Sequence, residues 1–164
     1  MYPKPSVTAD CAIFALVDSK VHILLIERNN EPFKGKWALP GGFVDINELI
    51  DTAAYRELKE ETGLENVRLR RIGVYDAPGR DPRGRTITFL YLALIDKLPD
   101  IKAADDASSA KWFTLDSLPE LAFDHAVLIS DAKNKLYESI SLVLAASDCF
   151  DETFTLGSLR KVRL

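Results

Sequence analysis

GFVDINELIDTAAYRELKEETGL, residues 42–64, is the stretch that decides the fold. It predicts a helix over residues 47–62, because Asn47 is a favourable N-cap and Glu48 suits the first turn. Gly63 suits the left-handed position that follows a last helical turn. The Pro-Gly-Gly run at residues 40–42 has the chemistry of a turn. We therefore expect a turn that leads into a helix.

One side of this helix changes from apolar to acidic. The first half carries an apolar stripe of Ile50, Ala53, Ala54 and Leu58. Glu57, Glu60 and Glu61 fall within about 100° of arc, and this arc overlaps the stripe. Like charges three and four residues apart destabilise a helix by roughly 0.2–0.5 kcal/mol per pair, and partial burial adds to that cost. The cluster is costly unless a cation lies against it.

Two interpretations fit the acidic cluster. Three carboxylates suit a hard divalent cation, Mg²⁺ or Mn²⁺, which takes oxygen ligands and keeps waters that substrate phosphates replace. A solvated acidic helix face explains the same residues without a ligand. The helix residues alone support both interpretations equally.

The spacing of the whole stretch resembles the Nudix box. Gly42 is followed after five residues by Glu48, and after seven more by the run RELKEETGL at residues 56–64. This resemblance implies an α/β fold, an α/β/α sandwich whose mixed β-sheet carries the box as a loop–helix–loop. It also implies an enzyme that uses Mg²⁺ or Mn²⁺ to hydrolyse a pyrophosphate bond in a nucleoside diphosphate derivative.

The resemblance also implies roles for residues of the box. Glu57 and Glu61 are the implied metal ligands, and Glu60 is implied as a third ligand or as the catalytic base. The backbone carbonyl of Gly41 or Gly42 is implied to complete the metal shell. An oxygen-only site for a hard cation is therefore expected.

The predicted catalytic residues also include two supporting residues and an alternative to Glu60 as the base. Arg56 resembles the residue that orients a metal-binding glutamate, and Glu48 resembles a supporting carboxylate at the other end of the box. Asp105 and Asp106 lie in a polar loop where larger relatives place a catalytic acid. The base stays open between Glu60 and these two aspartates.

The remaining sequence predicts strands around two helices. Leu128, Ala132, Leu136, Ile140 and Leu144 recur every four residues and predict an amphipathic helix over residues 124–146. Strands are predicted at residues 7–17, 21–26, 36–39, 43–44, 67–75, 85–95 and 111–115, the first two forming a hairpin. This order favours a mixed sheet covered by helices. We expect one domain over residues 1–150 and a C-terminal extension over residues 151–164.

Composition narrows the class of protein. The chain has 164 residues and a net charge of −4, so no basic surplus indicates a nucleic-acid partner. Cys11 and Cys149 have no metal-ligand spacing and are too few for a disulfide framework, so we expect a cytoplasmic protein. The apolar stretch at residues 11–17 is too short to span a membrane. The oligomeric state is left open, and a homodimer is allowed.

Most of the chain outside the box is similar to the small ADP-ribose pyrophosphatases. Four segments carry this resemblance: residues 31–44, 73–75, 80–85 and 121–125. Pro78, fifteen residues after Gly63, lies close to where that subfamily is expected to carry a proline. The resemblance implies ADP-ribose as substrate, with AMP and ribose 5-phosphate as products.

Arginines and aromatic residues are the candidate substrate contacts. Arg80, Arg83 and Arg85 place three guanidinium groups beside the box, where they can bind phosphate and ribose hydroxyls. A salt-bridged hairpin with Asp76 and Asp81 as partners explains the same loop equally well. The aromatic candidates for stacking on adenine are Phe33 and Trp37. Trp112 is expected in the core, and His125 is expected to make local hydrogen bonds.

Two other functions remain open. Residues 154–162 resemble the joint at which Nudix-like transcriptional regulators attach a winged-helix domain, and such proteins sense ADP-ribose or sugar derivatives. Because the sequence ends at Leu164 and its box is intact, we expect an enzyme without that domain. The other alternative is a house-cleaning hydrolase of oxidised nucleoside triphosphates or dinucleoside polyphosphates.

Overall fold

The computed structural model describes residues 4–101 and 107–147, which form seven strands and two helices. In chain order these are β1 Ser6–Val17, β2 Lys20–Arg28, β3 Trp37–Ala38, β4 Gly41–Phe43, α1 Ile50–Thr62, β5 Arg70–Tyr75, β6 Thr86–Ile95, β7 Ala107–Thr114 and α2 His125–Ser147. Asp105, Asp106 and the C-terminal extension lie outside the described residues.

The strands form one mixed sheet. Its order is β3-β2-β1-β6-β5, while β4 pairs with β1 and β7 pairs with β2. Strands β1 and β6 run parallel, from Ser6 opposite Thr86 to Ala15 opposite Ile95, and the other strand pairs are antiparallel. The predicted mixed sheet is therefore confirmed.

The two helices cover opposite faces of this sheet. Successive strand residues point to opposite faces, and β1 is buried on both. Cys11 and Ile13 pack with Ala53, Ala54 and Leu58 of α1. On the other face, Ala12 and Phe14 pack with α2 through Leu128, Ile129, Ala132 and Leu136. The α/β/α arrangement follows from this alternation, and the amphipathic character predicted for α2 is confirmed.

The hairpin between β1 and β2 is confirmed. Asp18 and Ser19 both have positive φ angles, of 48° and 60°, as a tight two-residue hairpin turn requires. The register Val17 opposite Lys20 places the turn at these two residues.

Helix α1 begins later than the sequence predicts. Leu49 occupies the N-cap position, without a side-chain cap, so the prediction of Asn47 as N-cap is wrong. The Glu48 N–H donates to the Asp45 carbonyl at 3.0 Å, which keeps this segment in a separate turn. At the other end Gly63 is left-handed, with φ 69°, as predicted, and its N–H donates to the Lys59 carbonyl.

Other boundaries differ by a few residues. Strand β7 begins at Ala107 instead of residue 111, because β2 offers it a partner along its length. Strand β5 begins at Arg70 instead of residue 67. Neither described helix combines the length with the apolar composition that crossing a membrane requires.

The packing of α2 gives a stability prediction. Leu128 is fully buried, whereas its neighbour Val127 is 54% exposed. We expect Leu128→Ala to lower the free energy of unfolding by about 2–5 kcal/mol, because it leaves a cavity, and Val127→Ala to change it by less than about 0.5 kcal/mol. Urea denaturation measures both, and equal effects would contradict the packing of α2.

Candidate active site

A cleft of about 310 Å³ opens where β1, β2, β4 and α1 meet the loop at residues 76–85. The start of α2 closes one side. The cleft collects side chains from segments that are far apart in sequence. It lies beside the acidic end of α1, where the sequence predicts the metal site.

Two glutamates of α1 face this cleft. Glu57 and Glu61 are one helical turn apart and therefore share a face, and both line the cleft. Glu61 is 8% exposed, and its carboxylate accepts a hydrogen bond from the Gly41 N–H at 2.8 Å. A Cβ atom added to Gly42 would lie 2.5 Å from the Glu57 carboxylate. Close approach of β4 to α1 thus fixes both acids.

Burial disfavours the charged forms of both acids. The pKa of Glu61 is raised to about 8, chiefly by burial; the Gly41 hydrogen bond opposes this rise, and the negative charges of Glu57 and Asp10 add to it. Burial also raises the pKa of Glu57, and Arg56 opposes that rise. A cation placed between these carboxylates would relieve the repulsion.

Arg56 connects both ends of the predicted box. It donates to both carboxylate oxygens of Glu48, each at 2.9 Å, and to the Phe43 carbonyl at 3.0 Å. It also donates to Glu57 at 2.7 Å and to Glu60 at 3.0 Å. The hydrogen bonds to Glu48 raise the pKa of Arg56 well above its ordinary value. Arg56 is therefore a fixed cation beside Glu57.

The loop arginines are held by aspartates. Arg80 has a side chain only 5% exposed and makes a bidentate pair with Asp124, at 2.7 and 2.9 Å. Arg83 pairs with the buried Asp81 at 2.7 Å. Both arginines still line the cleft, whereas Arg85 donates to the Asp76 carbonyl outside the cleft lining. Asp81 is one of the two partners that the salt-bridged alternative predicts.

The aromatic residues divide between cleft and core. Phe123 lines the cleft, and Phe33 packs against it edge-on, with ring centroids 4.7 Å apart. Trp37 packs against Phe113 in the core cluster that α2 covers and is not part of the cleft lining. The stacking role predicted for Trp37 therefore does not fit the structure, because β3 directs the ring into the core.

The His125 side chain makes a hydrogen bond, as the sequence predicts, but its partner is distant in the sequence and not local. It is buried, and its Nδ1 accepts a hydrogen bond from the Leu39 N–H at 2.9 Å. Burial lowers its pKa, which favours the neutral ring that can accept this bond. The hydrogen bond joins the start of α2 to the chain segment before β4.

Comparison with known proteins identifies the family. The model of the NUDIX domain matches residues 7–132. This chain belongs to the Nudix family. It is 45% identical over 132 residues to the ADP-ribose pyrophosphatase of Methanocaldococcus jannaschii, covering 80% of this chain and 75% of that relative.

Two further relatives are connected with ADP-ribose. The chain is 35% identical to the ADPR responsive transcriptional repressor NtrR of Acinetobacter baylyi, over 98% of this chain and 66% of the repressor. Among solved structures, the NUDIX domain of Shewanella oneidensis NrtR complexed with ADP ribose aligns with a TM-score of 0.77 and 31% identity. That alignment covers 82% of this chain and 90% of the NrtR domain.

Glu60 of the Nudix box does not join Glu57 and Glu61 in the cleft. Its side chain is 45% exposed and contacts Arg56. On α1 it is rotated about 100° from Glu61, and it is not part of the cleft lining. Asp105 and Asp106, the other predicted candidates for the base, lie outside the described residues.

The donors present suit a hard cation. Glu57, Glu61 and the carbonyls of Gly41 and Gly42 offer oxygen only, which Mg²⁺ and Mn²⁺ prefer. Within residues 4–101 and 107–147, no three acidic, histidine or cysteine side chains form a complete metal site. Two carboxylates with backbone oxygens, water and substrate phosphates are a normal Mg²⁺ arrangement.

Sequence reasoning missed several residues of the cleft. Asp10 is a buried acid in an otherwise apolar strand, and it accepts a hydrogen bond from Thr88 at 2.6 Å. Its charge in such a strand was the signal that could have found it. Arg28, Phe43 and Phe123 also line the cleft. They lie in turns or at strand ends, where no periodic pattern marks them.

The Arg80–Asp124 pair gives a second stability prediction. We expect Arg80→Ala to lower the free energy of unfolding by about 1–3 kcal/mol, because Asp124 is left without its partner. The double variant Arg80→Ala/Asp124→Ala should lose less than the sum of the two single variants. Urea denaturation of the four proteins measures this coupling, and strictly additive losses would show that the pair does not join the loop to α2.

Proposed function

We propose that this chain hydrolyses the pyrophosphate bond of ADP-ribose to give AMP and ribose 5-phosphate, with Mg²⁺ or Mn²⁺ as cofactor. The observation that carries the proposal is the pair Glu57 and Glu61, fixed beside a cleft lined by arginines. Acids and arginines in one cleft suit a substrate that brings phosphates and needs a cation. The relative with 45% identity is named as an ADP-ribose pyrophosphatase.

The box residues divide the chemistry among them. Glu57 and Glu61, with the carbonyl of Gly41 or Gly42, would hold the cation. A divalent cation, when bound, neutralises phosphate charge and lowers the pKa of water. Arg56 keeps the Glu57 carboxylate in place through its 2.7 Å hydrogen bond. A further carboxylate accepts the proton of the attacking water.

The outer part of the cleft suits the nucleoside and sugar ends. The Arg83 guanidinium lies 4.9 Å from the ring centre of Phe43 and 5.3 Å from that of Phe123. Such a wall offers flat aromatic and cationic surfaces to a base, and N–H donors to ribose hydroxyls. Phe33 supports this wall through Phe123, which gives it an indirect role.

A second candidate function is sensing of ADP-ribose without turnover. It is favoured by the repressor whose sequence aligns with 98% of this chain. Glu57, Glu60 and Glu61 are all present in the box, which favours hydrolysis. A house-cleaning activity on nucleoside triphosphates is the third outcome that a substrate assay can give.

Location and assembly remain predictions. We propose a cytoplasmic protein, because the two cysteines suggest no disulfide framework and Cys11 is a buried free thiol. A homodimer and a monomer are both compatible with the proposed reaction. We propose a small-molecule nucleotide-sugar as the partner and no nucleic acid.

A substrate panel tests the proposed function. We expect ADP-ribose to give AMP and ribose 5-phosphate with Mg²⁺ or Mn²⁺, and no product in excess chelator, since the acids need a cation. Chromatographic separation of the products measures this. Preference for a nucleoside triphosphate supports the house-cleaning alternative. Tight binding of ADP-ribose without product supports the sensor.

Substitution of the two cleft glutamates tests their role. We expect Glu57→Gln and Glu61→Gln each to lower kcat by at least about 10²-fold, because each removes a ligand charge. Melting temperatures in chelator should not fall, because charge repulsion is relieved, while the rise caused by Mn²⁺ should shrink. Glu65→Gln is the control, since Glu65 is exposed and pairs with Lys59. Near-normal turnover of either variant would disprove the ligand assignment.

A further inference from the structure

Four arginines line the cleft, and they differ in their partners. Arg56 is paired with glutamates of the box. Arg80 is paired with Asp124, and Arg83 is paired with Asp81. Arg28, at the end of β2, makes no ion pair with a carboxylate of residues 4–101 and 107–147. The charges of Arg80 and Arg83 are therefore largely neutralised by aspartates, whereas no carboxylate of the described residues neutralises that of Arg28.

The Arg28 side chain is held by backbone atoms and an aromatic ring. Its Nε donates to the Pro32 carbonyl at 2.9 Å, and its Nη2 donates more weakly to the Asn30 carbonyl at 3.4 Å. The guanidinium carbon lies 4.8 Å from the ring centre of Phe123. A guanidinium has five N–H donors in a fixed fork. These contacts fix its position and leave N–H donors for a ligand.

The charges around Arg28 indicate an anionic ligand. Burial and the positive charge of Arg83 lower the pKa of Arg28, whereas the negative charges of Glu61, Asp81 and Asp10 raise it. Glu61 and Asp10 line the same cleft without forming an ion pair with Arg28. A partly buried cation without a counter-ion is unfavourable. Arg28 would attract an anion that enters the cleft, and the acids would repel it. The anion would therefore bind nearer to Arg28 than to the acids.

We propose that Arg28 binds the non-bridging oxygens of the substrate diphosphate from the β2 side of the cleft, while Glu57 and Glu61 approach from α1. This rests on the proposed function, because it assumes a diphosphate substrate. The fork of a guanidinium matches phosphate oxygens in a bidentate way. Arg28 then recognises the diphosphate, which all nucleoside diphosphate derivatives share. The wall around Arg83 contacts the base and the sugar, which differ from one derivative to another.

A purely structural role for Arg28 must be separated from this one. Arg28 also ties down the turn after β2 through the Pro32 carbonyl. In Arg28→Gln, the Nε2 amide occupies the place of the arginine Nε, so it can keep that hydrogen bond while the charge and the fork are lost. Arg70→Gln is the control, because Arg70 is an exposed strand residue outside the cleft.

Calorimetric binding of α,β-methylene-ADP with Mg²⁺ tests the proposal. We expect Arg28→Gln to weaken binding by about 10- to 100-fold, with Arg70→Gln binding like wild type. With ADP-ribose, KM should rise more than kcat falls. The melting temperature should stay close to that of wild type. Unchanged affinity and KM in a folded Arg28→Gln variant would overturn the proposal.

Two other experimental outcomes also test the role of Arg28. If Arg28→Gln does not fold, Arg28→Lys decides instead, because lysine keeps a charge but lacks the bidentate fork. Weaker binding by Arg28→Lys is then expected, and affinity equal to wild type overturns the proposal. If wild type does not hydrolyse ADP-ribose but binds the probe in an Arg28-dependent way, the proposed function fails and the role of Arg28 stands.

Discussion

The close approach of β4 to α1 is the constraint on which the site depends. A Cβ atom at residue 42 would lie 2.5 Å from the Glu57 carboxylate, so any residue other than glycine there would displace that side chain. The same approach brings the Gly41 N–H within 2.8 Å of Glu61. Small residues let the helix lie close, and Ala53 and Ala54 of α1 are fully buried. Two acids are thereby held at a place where their charges repel, which prepares the site for a cation.

The charged side chains of the cleft differ in the groups with which they pair. Arg56 is held by Glu48 and fixes Glu57, but one guanidinium between two carboxylates leaves this end of the box with a net negative charge. Glu61 has a backbone N–H as its hydrogen-bond partner and stays buried, with its pKa raised to about 8. On the opposite wall, Arg28 has backbone carbonyls as partners. In the proposed complex, a bound cation would balance the charge of the acids, and the substrate phosphates would balance the charge of Arg28.

Local sequence patterns predicted the helices and strands. Contacts between residues far apart in the sequence determine where individual side chains lie. The box helix, the hairpin at Asp18 and the four-residue repeat of α2 follow from propensity and period, so the sequence revealed them. The acids of the site came from helical spacing and family resemblance. The Arg80–Asp124 pair joins residues 44 positions apart, and the core position of Trp37 depends on α2. Such contacts exist only after the sheet forms, so no local pattern of residues predicts them.

The parallel pairing of β1 with β6 sets the order in which this site can assemble. Thr8 and Thr88 meet in that pairing across 80 residues of chain, and closing so long a loop is slow compared with forming a hairpin. Strand β1 lies between β2 and β6, contributes to both core clusters and carries Asp10. Until β1 and β6 meet, neither helix has a complete surface to pack on. We therefore expect the cleft to form late in folding, because Asp10 of β1 joins Glu57 and Glu61 of α1 only when the strand and the helix pack together.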